Sequence, residues 1–183
     1  MRKIYVIRHA KAEGQASDAP LTEVGVKQAE ALAEFLADQQ IDAIVSSPFA
    51  RAYRTIEPLA ARLRLPVATD ERLAERVLSA HPYPDWRERL RTTYDDLDLC
   101  FEGGESSRTA MRRAADVVED ALGCGHRHIA IVSHGNLISL LLQHYDKRIG
   151  FAAWAAMTNP DVYELSFDDP LPHPPVIRRL WTS

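Results

Sequence analysis

Only Cys100 and Cys124 occur in 183 residues, so the chain offers no disulfide framework. Long apolar runs are missing too. The stretch after Arg2 and Lys3 is too short for a secretory h-region, and nothing approaches a membrane span. A cytoplasmic protein is expected. Positive charge is not in surplus: Lys and Arg number 22 against 26 Asp and Glu, for a net charge of −4. Proteins that grip a phosphate backbone usually carry a basic excess, so nucleic acid is not the expected partner. Two phosphate chemistries fall to missing motifs. A Cys-dependent phosphatase needs Cys, five residues, then Arg, but that position holds Ser106 after Cys100 and Ala130 after Cys124. A P-loop kinase needs a glycine-rich loop ending in Gly-Lys-Ser or Gly-Lys-Thr, and the sequence has none. No internal repeat is present, and the one biased tract is "DDPLPHPP" at 168–175.

What is present fits one globular domain over residues 1–183, with 46% hydrophobic and 26% charged residues. Short apolar runs alternate with amphipathic stretches, the pattern of a three-layer α/β/α sandwich. Strands are expected at 3–7, 43–46, 129–133, 162–167 and 176–181. The first three are unbroken apolar runs, as central parallel strands require. "VYELSF" (162–167) alternates instead and reads as an antiparallel edge strand, giving a mostly parallel sheet. Helices are expected at about 23–38 behind the N-cap Thr22, and at about 48–63 with Ser47 as N-cap, Pro48 first and a kink at Pro58. A third starts at Ser106 or Ser107 and closes at Gly123, and a fourth starts at about Gly135. Residues 72–100 read as helical in part.

Ligands of open α/β sheets bind beyond the carboxyl ends of the parallel strands. There the first expected strand is followed by Arg8, His9 and Lys11, the second by "SSPFAR" with Arg51, and the third by "SHGN" (133–136) leading into a helix. If these strands are neighbours, two guanidiniums, two imidazoles and a helix N-terminus converge. That collection suits a phosphate dianion. Positive surroundings disfavour imidazolium, so a His held there is a neutral nucleophile. Phosphoryl transfer to it also needs a proton donor for the leaving oxygen. "RLAERVL" offers Glu75, and Glu13, Glu57 and Glu105 are further candidates on these grounds.

The chain resembles the histidine phosphatases, the phosphoglycerate-mutase-like superfamily, from Ile4 to about Leu142. The elements that carry the likeness are the strand ending in Arg8-His9, "PLTEVGVKQA" (20–29), "SSPFARAYRT" (46–55), "LAER" (73–76), "GGES" (103–106) and "VSHGN" (132–136). The resemblance implies that His9 is the phosphorylated nucleophile, Arg8 and Arg51 bind the phosphate, His134 is the second pocket histidine and Glu75 the proton donor. Gly135 and Asn136, with Lys11 of the cationic cluster, are expected at the phosphoryl group or substrate. It implies a phosphoric monoester hydrolase of the histidine acid phosphatase type, with no metal and no cofactor. Its substrate is expected to be a small phosphorylated metabolite or a phosphohistidine protein. This chain has Ala10 where the family usually has Gly, which restricts the turn after His9 to ordinary φ values. The segment 11–20 is short, and "ERVLSA" lacks the aromatic-Gly continuation associated with the mutases. A phosphatase therefore fits better than the alternative, phosphoglycerate mutase-type transfer.

Other readings compete for these residues. "IVSHG" (131–135) has part of a nucleophile elbow, with Ser133 as a serine esterase nucleophile and Asp161 or Asp168 and His173 as partners, but it leaves Arg8, His9 and Arg51 unexplained. A non-catalytic phosphate-binding module would keep the arginines and have no use for a proton donor. "CGHRH" (124–128) has metal-like spacing without a second ligand cluster. Arg87, Arg89 and Arg91 read as a solvated helix face rather than a lid.

Overall fold

In the computed structural model, which describes residues 1–169 and 173–182, the first strand, β1 (Arg2–Arg8), sorts its side chains between two cores. Ile4 and Val6 join one cluster, while Tyr5 and Ile7 join the other. Successive strand residues point to opposite faces, so an unbroken apolar run is buried on both sides. The same division splits β4 (His128–Ser133), with Ile129 and Ile131 on the first side and Ala130 and Val132 on the second. Helices α4 (Ser107–Gly123) and α5 (Gly135–Tyr145) contribute to the first cluster, α1 (Glu23–Leu36) and α2 (Ala50–Leu63) to the second. The three-layer α/β/α sandwich follows from that two-sided burial.

The remaining strands are β2 (Ala43–Ser46), β3 (Val67–Thr69), β5 (Asp161–Phe167) and β6 (Val176–Thr182). One six-stranded sheet has the order β3-β2-β4-β1-β5-β6. Strands β1 to β4 run parallel, and β5 pairs antiparallel with both β1 and β6. The antiparallel direction of 162–167 is as expected, but its place is not: β6 is the edge, and β5 lies inside it. Alternation had suggested one solvated face. Glu164 on that face is 1% exposed, with its carboxylate 2.9 Å from Lys3 Nζ and 2.5 Å from Arg178 Nη2. Polar periodicity here records a carboxylate held between cations of the neighbouring strands β1 and β6, not a solvated face.

Helix boundaries follow local chemistry. Thr22 Oγ1 accepts the Gly25 N–H at 2.9 Å to start α1, and Ser106 Oγ accepts the Thr109 N–H at 3.1 Å to start α4. Helix α2 continues through Pro58 but begins at Ala50, later than expected, with Phe49 as its N-cap. The Ser47 hydroxyl, expected to cap it, instead lies 2.8 Å from His134 Nε2. Within 72–100 the helical part is α3 (Trp86–Asp95), after a 3-10 turn at Glu71–Leu73. A short α6 (Phe151–Ala155) and β3 were not expected. Of the Pro-rich tract, 170–172 lies outside the described residues. No helix among the described residues is long and apolar enough to cross a membrane.

Candidate active site

Because β4 sits between β1 and β2, the residues that follow all three strands meet at one level. Arg8 is in register with Ser133, and Ser46 with Val132. One step on, the His9 N–H bonds Ser133 O at 3.2 Å and the Ser47 N–H bonds Val132 O at 2.8 Å. His9, Ser47 and His134 thus lie side by side.

His9 is 8% exposed and its hydrogen bonds define its tautomer. Nδ1 lies 2.7 Å from the Ala10 carbonyl, which can only accept, so Nδ1 carries the proton. Nε2 lies 3.2 Å from Arg51 Nε, which can only donate, so Nε2 presents a lone pair. Burial, helped by the Arg51 and Arg8 charges and opposed by the bond to Ala10, brings the imidazole pKa down to about 4. Burial is the larger cause; the positive surroundings come after it. Ala10 takes the turn without strain: it is fully buried, is not among the positive-φ residues, and its N–H bonds Thr55 Oγ1 at 2.9 Å.

Arg51, 1% exposed, projects from the first turn of α2. Its Nη1 donates to the carbonyls of Gln15 and Ala16 at 3.1 and 2.8 Å, while its Nε faces His9. Arg8 Nη1 donates to Met157 O at 3.1 Å, and its buried Nε has no partner among the described residues. The guanidinium lies against the start of α5. A Cβ on Gly135 would come within 2.9 Å of Arg8 Cζ and Nε, so the bareness of Gly135 makes room for Arg8. His134, the N-cap residue of α5, is fully buried with its ring centroid 5.1 Å from that of His9. Burial, then the neighbouring charges, holds its pKa well below the ordinary value, and its buried Nδ1 has no partner among the described residues.

Glu75 lines the cleft from the loop after the 3-10 turn. Its Oε2 accepts the Asn136 N–H at 3.1 Å, and its Oε1 accepts those of Leu137 and Arg76 at 3.0 and 2.7 Å. A carboxylate thus closes the N-terminus of α5, where free N–H groups favour negative charge. Burial outweighs those bonds and the nearby Arg8 charge, and its pKa is raised. A proton is therefore held more readily here than on an ordinary Glu. The other acidic candidates stand elsewhere: Glu13 is exposed, Glu57 pairs with Arg54 at 2.6 Å, and Glu105 pairs with Arg113.

Arg8 and Glu75, without His9, Arg51 or His134 beside them in the lining, open onto a cleft of about 480 Å³ lined by Arg8, Gln15, Glu75, Arg76, Leu78, Trp86, Leu90, Asn136 and Trp154. Lys11 is not among them. It is exposed, its N–H bonded to Gln28 and its carbonyl to Thr22. Asn136 lines the cleft, but its side chain is engaged by Tyr94 at 2.8 Å and more weakly by Arg76 at 3.4 Å. Arg76 closes "LAER", a motif that assigns it no role, and the aromatic pair and Leu78 carry no sequence motif. Gly104 supports them indirectly: a Cβ there would meet Leu78 O at 2.2 Å, so "GGES" is a turn packed under the cleft wall as well as the entry to α4. A slightly larger groove of about 520 Å³, along Ala43, Val45, Leu65 and Ala121, holds none of the site residues. Ser133, the alternative nucleophile, is 2% exposed with its hydroxyl donated to Leu73 O at 2.7 Å. Of "CGHRH", His128 Nδ1 meets Gln39 O at 2.9 Å and Cys124 meets Ala121 O at the same distance.

The model of the histidine phosphatase superfamily, branch 1, matches residues 4–174. The chain belongs to that superfamily. Among its histidine phosphatase relatives, a protein of Yersinia pestis named probable phosphoglycerate mutase GpmB is 30% identical over 162 residues, covering 78% of this chain and 74% of that one. A mycobacterial glucosyl-3-phosphoglycerate phosphatase solved with inorganic phosphate is 28% identical, with a TM-score of 0.79 over 100% of this chain and 98% of the other. A phosphoserine phosphatase of Entamoeba histolytica solved with phosphoserine shares the fold at a TM-score of 0.77 and 21% identity, covering 97% and 95% of the two chains.

Proposed function

We propose that this protein hydrolyses phosphate monoesters of small metabolites through a phosphohistidine on His9, without a metal. One observation carries the reading: a buried imidazole whose Nδ1–H is tied to Ala10 O, leaving its Nε2 lone pair against the Arg51 guanidinium. Nε2 attacks phosphorus as the ester P–O bond breaks. The departing oxygen takes a proton from Glu75, whose raised pKa keeps the acid form available. Water then attacks the phosphohistidine, Glu75 takes its proton, and phosphate leaves with His9 neutral again. Arg8 and Arg51 supply the positive charge that the transferring oxygens need. His134 can add a donor: in the tautomer whose Nε2 accepts the Ser47 hydroxyl proton across their 2.8 Å contact, Nδ1 carries a proton and has no partner among the described residues.

The named activities of the mycobacterial and amoebic structures support hydrolysis, and a cleft of about 480 Å³ is of the size that small molecules occupy. A His9 neutral down to about pH 4 beside a Glu that gives up its proton late suits turnover in acid, but the reading does not need the histidine acid phosphatase subclass. Mutase-type transfer to a second hydroxyl is the alternative, favoured by the 30% identity to the Yersinia pestis protein. Against it, the cleft beyond Arg8 and Arg76 is walled largely by Leu78, Trp86, Leu90 and Trp154.

The test is phosphate release from p-nitrophenyl phosphate in excess EDTA. Wild type should turn over and form an acid-labile phosphoenzyme, and His9→Ala should do neither. Turnover indifferent to His9, or abolished by EDTA, would sink the reading. Interconversion of phosphoglycerates without net phosphate release would establish the mutase instead.

A further inference from the structure

The cleft has a second half that phosphate does not explain. Trp86, the first residue of α3, is 48% exposed, yet it lines the cleft together with Trp154 of α6. Their ring centroids are 6.2 Å apart with the planes at 88°, so the two indoles form a corner. Trp154 is braced: Phe151 packs at 5.3 Å and the Arg87 guanidinium sits 5.2 Å over its ring. Leu78 and Leu90 line the same cleft. Leaving half of an indole in water forgoes a large share of its burial free energy, and a ligand ring laid against it recovers that share.

The polar lining narrows the ligand further. A sugar or other polyol needs acceptors for its hydroxyls, and beside the indoles the side-chain acceptors of Glu75 and Asn136 are already engaged, which leaves only the exposed Gln15 amide in the lining. Both Glu75 oxygens take backbone N–H groups, and Asn136 Oδ1 faces Arg76. Hydroxyls seated against Trp and Leu would lose their water partners without replacement, at about 1–3 kcal/mol for each group. An apolar ring loses nothing there. The corner also adjoins the site itself, since Arg8 and Glu75 line the same cleft. A substrate whose phosphate reaches His9 would carry its alcohol half past the two indoles.

We propose that this half of the cleft is an aromatic leaving-group subsite, and that the substrate is a phosphomonoester whose alcohol carries an aromatic ring laid into the corner that Trp86 and Trp154 form. The proposal rests on the phosphatase reading for the fate of the ester but not for the seating of the ring. Its test therefore separates the two.

Two esters with leaving oxygens of similar basicity, 2-phenylethyl phosphate and propyl phosphate, are compared for kcat/KM, with glucose 6-phosphate as the polyol. Their non-hydrolysable counterparts, 3-phenylpropylphosphonate and butylphosphonate, are compared by calorimetry. The arene member of each pair should be favoured by roughly tenfold, the scale of one aromatic contact added to its buried area. Trp86→Ala, a change at a half-exposed position, should bring both ratios to roughly twofold, and Trp86→Phe should restore most of the preference. Equal ratios in wild type, a preference that survives Trp86→Ala, or faster turnover of glucose 6-phosphate than of the arene ester would overturn the subsite. If the esters are inert but the phosphonates still show the ring preference, the subsite stands and hydrolysis falls. If both esters turn over alike and the phosphonates bind alike, hydrolysis stands and the subsite falls. Absence of both binding and turnover overturns both.

Discussion

Arg89 and Arg91 of α3 carry the same guanidinium as Arg8 and Arg76 of the cleft and Arg51 behind it, held in opposite ways. On α3, Arg89 Nε lies 2.9 Å from Asp85 and Arg91 Nη2 lies 2.6 Å from Glu88, each within reach of water. In and behind the cleft, no salt bridge joins these three arginines to a carboxylate among the described residues. Carbonyls hold them instead: Met157 for Arg8, Gln15 and Ala16 for Arg51, Glu105 O for Arg76. A carbonyl orients a guanidinium without cancelling its charge. Glu75, the carboxylate whose charge reaches all three, is itself pushed towards the neutral form. A surface arginine is neutralised by its partner, whereas a cleft arginine is positioned and left positive. Bare buried charge is costly to maintain, and an anionic ligand is what relieves it.

The contrast is sharpest at Arg51. Arg51→Ala removes a charge and the donor that faces His9 Nε2, and kcat/KM should fall by roughly 10²–10³, the loss typical of one preorganised donor at a reacting oxyanion. Steady-state kinetics on p-nitrophenyl phosphate would measure it, and a loss below tenfold would mean that Arg51 is structural. A smaller effect concerns pH. In the proposed reaction His9 attacks in its neutral form, and its folded pKa of about 4 lies below the ordinary 6.5. The acid limb of kcat/KM should therefore fall near pH 4, with activity retained through the range in which an ordinary His would protonate. The raised pKa of Glu75 sets the opposite limb, where the acid form is lost as pH rises. Glu75→Gln should abolish that limb and slow alkyl esters more than p-nitrophenyl phosphate, whose leaving group needs less protonation. An acid limb near 6.5 would contradict the burial of His9. The smallest effect belongs to α3: Arg91→Ala should leave both kcat/KM and the midpoint of a denaturant melt essentially unchanged. A large loss there would erase the distinction between the two sets.

Much of this was legible before any coordinates. Ile4–Ile7, Ala43–Ser46 and Ile129–Val132 announce central strands by their unbroken apolar runs, and the strand-end rule then gathers Arg8, His9, Arg51 and His134. The parts that were not legible depend on contacts made across the fold. Arg76, next to Glu75 in sequence, looks like half of a surface ion pair, but Thr93, Asn136 and Glu105 O, all remote in sequence, enclose it. Lys11 belongs by sequence to the cationic cluster, yet bonds from its backbone to Thr22 and Gln28 fix it in an exposed loop. Strand β3 and helix α6 are too short for periodicity to register, and the alternation in β5 could not show that β6 would cover it. Trp86 and Trp154 belong to no motif at all.

The placement of β4 between β1 and β2 also gives the pocket an order of birth. A chain leaving the ribosome releases His9, Arg51 and Glu75 well before His134, and β1 and β2 share no ladder of their own. Until β4 slots between them, His9 and the arginines have no common floor, and the Asn136 and Leu137 N–H groups that help fix Glu75 do not yet exist. At typical synthesis speeds that gap lasts on the order of ten seconds. On the proposed reaction, a half-made chain would then be inert towards phosphate esters until β4 is in place at the centre of the sheet.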